Sequence, residues 1–135
     1  MPRGYFDYKQ FMQFYRETAG IQKTFNRWIH AFLLQEALIA LKLVRPLTPW
    51  RTGTLRRSWS ITRVERTGQM LIVYLVNPIE YASFMEDGFT YQTNEGEKYF
   101  EGFHMAEISL LQVRQKMPLK FEREFTKWLA GFGWR

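Results

Sequence analysis

Two histidines, His30 and His104, are the only side chains in this 135-residue sequence whose ordinary titration falls near neutral pH, and there is no cysteine. Thiol catalysis, thiolate zinc sites and iron–sulfur clusters are therefore excluded. His104 and Glu107 stand three residues apart and would share a helix face, which resembles half a metal site. Two donors are too few, because zinc takes about three or four from the protein. Glu86 and Asp87 form a carboxylate pair of the kind that binds cations or moves protons, but neighbouring residues point different ways on a helix or a strand. Ser58, Ser60, Ser83 and Ser109 lack a nucleophile-elbow setting, and Gly53 alone does not make a phosphate loop. The residues assign no catalytic group, cofactor or metal ligand, and the chain reads as a non-enzyme.

A second kind of chemistry is suggested by Arg51, Arg56 and Arg57 beside Trp50 and Trp59. Guanidinium groups interleaved with aromatics can grip phosphates and stack on bases. The same residues also suit a glycine turn entering a strand, with the arginines at a protein contact. The formal charge of +6 bears on this choice through its distribution. It resolves into +3 for residues 1–44, +5 for 45–66, none for 67–79, −6 for 80–107 and +4 for 108–135. A plain polyanion binder would carry a more even basic coat. Opposed basic and acidic blocks suit surfaces that complement each other between copies. A small basic nucleic-acid-binding module is the alternative reading.

These groups must be held by elements, and hydrophobic spacing locates them. Asp7 with Gln10 opens a helix that Gly20 ends. Ile21, Phe25, Trp28, Ile29, Phe32, Ala37, Leu38 and Leu41 give a long helix over about 22–44, with Pro46 and Pro49 pushing the following segment out of it. Trp59 to Val64 suits a strand, Arg66-Thr67-Gly68 a hairpin turn, and Met70 to Val76 a strand apolar at both parities and so expected to be covered on both faces. Residues 79–86 fit a short helix or an irregular strand. Residues about 88–102 are expected to be a mobile acidic loop, most loop-like at Thr93-Asn94-Glu95-Gly96. Helix returns from Phe103, and Pro118 is expected to open a further helix whose stripe is Leu119, Phe121, Phe125, Trp128 and Leu129. The expected fold is α+β, a small antiparallel sheet packed against a long N-terminal helix and C-terminal helices. It occupies a single domain over 1–135, with residues 1–20 as a helical arm and 21–135 as the core. The best apolar stretch, Ile29 to Leu43, is interrupted by His30, Gln35, Glu36 and Lys42, so no membrane partner is expected. The N-terminus has no signal-peptide pattern.

One ordered set of motifs stands out: Arg45-Pro46-Leu47-Thr48-Pro49, Thr52-Gly53-Thr54-Leu55-Arg56-Arg57-Ser58, a hairpin reaching Val76-Asn77, Tyr81-Ala82-Ser83-Phe84-Met85-Glu86-Asp87-Gly88, and Gly102-Phe103-His104-Met105. In this order they resemble the gene-product-ten-like family of tailed-phage neck and tail-completion proteins, over roughly residues 22–130. Trp50-Arg51 departs from the short polar pair commoner before Thr-Gly in that family. The resemblance implies a structural subunit of the virion neck or upper tail, made in the host cytoplasm. Its implied partners are copies of itself in a hexameric ring, the tail tube protein and a head-side connector or stopper, with non-specific contact to DNA in transit. The charge blocks place a subunit interface at Arg51, Arg56, Arg57, Tyr81, Glu86 and Asp87. Arg63, Arg66, Glu95 and Glu97 are the expected contacts to a partner or to DNA in the lumen.

Overall fold

The computed structural model describes residues 7–18, 20–49 and 53–133. It is an α+β fold built on two long helices. Helix α1 spans Tyr8–Glu17, and Asp7 caps it by accepting the Gln10 backbone N–H at 3.0 Å. Gly20, at φ 76°, turns the chain into α2, Ile21–Leu47. This helix runs three residues beyond the expected end and carries Pro46 in its last turn. Only one helical bond is lost there, and Thr48 closes the end instead: its N–H donates to the Arg45 carbonyl at 3.1 Å and its hydroxyl to the Val44 carbonyl at 2.7 Å.

After Gly53 comes a single helical turn, α3, Thr54–Arg57, in place of a direct entry into strand. The next segment is one interrupted hairpin. Strands β1, Ser60–Ile61, and β4, Leu75–Val76, form its base, and β2, Glu65–Thr67, and β3, Met70–Ile72, form its outer part. Ile61 faces Leu75 whereas Glu65 faces Ile72, so residues 62–64 oppose only residues 73–74. This is a bulge, stitched by the Thr62 N–H to the Tyr74 carbonyl at 2.9 Å and the Tyr74 N–H to Thr62 Oγ1 at 2.8 Å. The sheets are two-stranded throughout the described residues. Met70 to Val76 therefore does not become a strand covered on both faces: Met70 and Tyr74 are each 60% exposed, because no third strand or second layer among the described residues lies over them.

Helix α4 spans Ala82–Asp87, resolving the ambiguous segment as helix. Residues 88–102 differ from the expected loop, forming a second hairpin of β5, Phe89–Thr93, and β6, Gly96–Phe100. Phe89, Thr90, Tyr91, Thr93, Tyr99 and Phe100 are strong strand formers, and the turn falls at Asn94-Glu95. Helix α5, Met105–Ala130, is one continuous helix, not two. Pro118 and Arg114 are both exposed, so water can satisfy the carbonyl that the proline leaves without its helical donor.

Helices α2 and α5 pack along each other, giving the molecule two apolar regions. The first gathers Val44, Leu55, Trp59, Ala82 and Met105 from four helices and the loop after α3. The second is an aromatic belt of half-buried rings: Phe25, Trp28 and Phe32 of α2 meet Phe121, Phe125 and Trp128 of α5 in edge or tilted contacts at centroid distances of 5.5–5.9 Å, and Phe121, Phe125 and Trp128 stack on one another along α5. Phe11 of α1 joins the belt through Phe125. Between the two regions, Glu36 is buried and pairs with Lys120 Nζ at 2.8 Å. No helix among the described residues is long and apolar enough to cross a membrane.

Candidate functional site

The signature motifs converge on the first apolar region, where they bond to one another. Thr48 is buried, and its hydroxyl donates to Val44 while accepting the Trp59 indole N–H at 2.8 Å. The Thr48 carbonyl accepts both Nε and Nη2 of Arg56, at 3.1 and 2.8 Å. That places a guanidinium at the carbonyl end of α2, where its charge is favoured by the helix dipole. Arg45 reaches the Trp59 carbonyl at 3.4 Å. Asn77 donates to the Leu55 carbonyl at 2.8 Å and accepts the Ile79 N–H at 3.1 Å, fixing the chain on either side of Pro78.

Glu86 completes this framework. Helix α5 begins after His104, which sits at φ 50° and offers no side-chain cap. Two of the helix's free donors are met by Glu86 instead: Oε1 accepts the Ala106 N–H at 2.9 Å and Oε2 the Glu107 N–H at 3.1 Å. The Phe103 and His104 N–H groups donate to the Met85 and Glu86 carbonyls at 2.8 and 3.1 Å. The two chain segments pass so closely that glycine is required at both. A Cβ on Gly102 would stand 2.6 Å from the Glu86 oxygen and the Gly88 nitrogen, and one on Gly88 would overlap the Phe100 carbonyl.

These bonds sort the expected interface residues. Arg56 and Glu86 are committed inside the subunit, and the Arg51 position lies outside the described residues. Arg57 is exposed and has no side-chain partner among the described residues. Asp87 is exposed too; its carbonyl accepts the Tyr99 hydroxyl at 3.3 Å while its carboxylate is unpaired among the described residues. Tyr81 is 45% exposed. Arg63 lies in the bulge and Arg66 in β2, both exposed. At the tip of the second hairpin, Glu95 pairs with Lys98 at 3.3 Å, and Glu97 is exposed on β6. His104 Nδ1 meets Glu107 Oε2 at 3.1 Å.

Beside the framework lies an apolar groove of about 590 Å³, lined by Pro49, Leu55, Tyr81, Phe84, Met85 and Phe89 among others. Sequence reasoning placed Tyr81 at an interface but missed the groove as a whole, which forms only when α3, α4 and β5 are brought side by side. A signal for the Glu86 cap was present: Phe103-His104 puts no Ser, Thr, Asp or Asn ahead of α5, so the helix needs a cap from elsewhere.

The motif side chains thus serve mainly to fix elements against one another, as in a small α+β structural subunit. The chain belongs to the bacteriophage HK97 gp10-like family of tail components, whose family model matches residues 13–88. It is a structural protein of the phage tail. Neither a curated protein nor a solved structure matches the chain.

Proposed function

We propose that this tail component acts as a neck or tail-completion subunit, assembling as a ring at the upper end of the tail and joining it to the head. The opposed charge blocks, set within a tail-component family, carry this reading. A head-to-tail ring needs two different complementary patches on each copy. With Arg56 and Glu86 used internally, the charges left for such patches among the described residues include Arg57, Arg63 and Arg66 in the basic block and Glu80, Asp87, Glu97 and Glu101 in the acidic one. The tail tube protein and a head-side connector would be its partners above and below, and lumen-facing arginines would meet passing DNA without reading its sequence.

Mass photometry followed by negative-stain imaging tests the reading. A closed ring, alone or on added tail tube protein, is the expected result. A chain that stays monomeric under both conditions and shifts short duplex DNA in a salt-dependent way would replace it with a nucleic-acid-binding module.

A further inference from the structure

The outer part of the first hairpin has the form of a projecting knob. Its base strands β1 and β4 lie against α2, while every residue from Glu65 to Met70 is exposed. Met70 is 60% exposed at the start of β3, and Tyr74 is equally exposed beside the bulge. A two-stranded hairpin standing in water is marginally stable, so an apolar knob of this kind gains from being covered. The groove formed by Leu55, Tyr81, Phe84, Met85 and Phe89 is the complementary hollow, within the size range of sites that enclose a few side chains. Charges flank the two features with opposite sign. Arg63 and Arg66 outnumber Glu65 on the knob, while Glu80 directly precedes the groove residue Tyr81 and Asp87 lies two residues before the groove residue Phe89 in the chain. All five are exposed, and none has a side-chain partner among the described residues.

We infer that the groove receives the hairpin tip of a second copy of this chain, Met70 entering the apolar hollow while Arg63 and Arg66 meet Glu80 and Asp87 of the receiving subunit. The contact is heterologous: the knob and the hollow are different surfaces, so each subunit gives one and receives one, and repetition closes a ring or extends a filament. It rests on the ring reading above and names the surface that reading requires. It also explains why exposed apolar residues occur on both features, since each is half of a buried contact.

The cysteine-free chain allows a direct test. A Met70→Cys variant and a Phe84→Cys variant, mixed and mildly oxidised, should form a disulfide-linked heterodimer in larger yield than either variant gives alone. Met70→Asp should raise the apparent Kd for self-association by about tenfold or more, as truncation of a central contact does. Because Met70 is largely exposed, circular dichroism of that variant should match the unaltered chain. Arg66→Glu and Asp87→Arg should each weaken assembly, and mixing the two variants should recover part of it. If the unaltered chain forms rings, yet Met70→Asp assembles as tightly and no heterodimer cross-link appears, the knob-in-groove contact is wrong while the ring stands; the groove then belongs to another partner. If the unaltered chain remains monomeric at every concentration, both alone and on added tail tube protein, with no cross-link, the contact and the ring reading fall together.

Discussion

The framework around Thr48, Trp59 and Glu86 and the aromatic belt of α2 and α5 hold the same two helices together by different physics. In the framework each contact has a direction: an indole N–H on one hydroxyl, a guanidinium on one carbonyl, a carboxylate on two amides. In the belt the rings meet at interplanar angles from 13° to 85°. Packing of that kind contributes through area and shape and tolerates many geometries. One region therefore fixes how the elements sit, and the other adds cohesion with little demand on residue identity. Conservative substitutions should separate them.

The largest contrast is expected between two glycines with positive φ. Gly88→Ala forces a Cβ onto a backbone carbonyl at φ 87° and should cost on the order of 3–5 kcal/mol, whereas Gly20→Ala, with open space around it, should cost about 1 kcal/mol. Urea denaturation of the two variants measures the difference, and equal losses would mean that the framework segments can part. Next comes the ion pair between the regions. Lys120→Met leaves the Glu36 carboxylate buried without its partner and should destabilise by about 3 kcal/mol, while joining it with Glu36→Met should return most of that loss.

A smaller effect is expected from removing a single donor. Trp59→Phe keeps an aromatic ring but leaves the buried Thr48 hydroxyl without its indole donor, costing about 2 kcal/mol. Trp128→Phe in the belt should cost less than about 1.5 kcal/mol, since the ring is only half-buried, keeps an aromatic face against its neighbours and loses no indole hydrogen bond among the described residues. Thermal midpoints of the pair would show it, and the reverse order would place directional bonding in the belt instead. Smallest is Glu86→Gln, which keeps one accepting oxygen but loses the charge and one of the two amide bonds, for about 1 kcal/mol. Hydrogen exchange should quicken at Ala106 or Glu107 while the belt end of α5 is unchanged.

The belt was the more legible of the two regions. Phe25, Trp28 and Phe32, and likewise Phe121, Phe125 and Trp128, repeat at three to four residues, so each stripe announces a helix face that needs a partner. The first hairpin was legible, although its turn falls at Gly68-Gln69 while Arg66 and Thr67 end β2, and Asp7 was legible as a cap. Proline was over-read: Pro46 and Pro118 each remove one backbone donor, and a long helix packed along its length absorbs that loss. The second hairpin was hidden by its acidic residues and turn formers, although its aromatics carried the strand signal. In the framework, Arg56 and Glu86 read as surface charges because charge is what a linear sequence displays. Their partners are backbone groups 8 and at least 20 residues away, and backbone groups carry no sequence signature.

The sequence by itself determined the class of this protein: the apolar stripes of its two long helices and the first hairpin, its lack of thiols, its opposed charge blocks and an ordered motif set that names a phage tail family. Those properties depend on local propensity, composition and order along the chain. Only the tertiary structure decided which charges face inward, which glycines are pressed together, and that Leu55, Phe84 and Phe89 share one groove. Each of those outcomes depends on distances between segments far apart in the chain, and such distances exist only once the two long helices have packed.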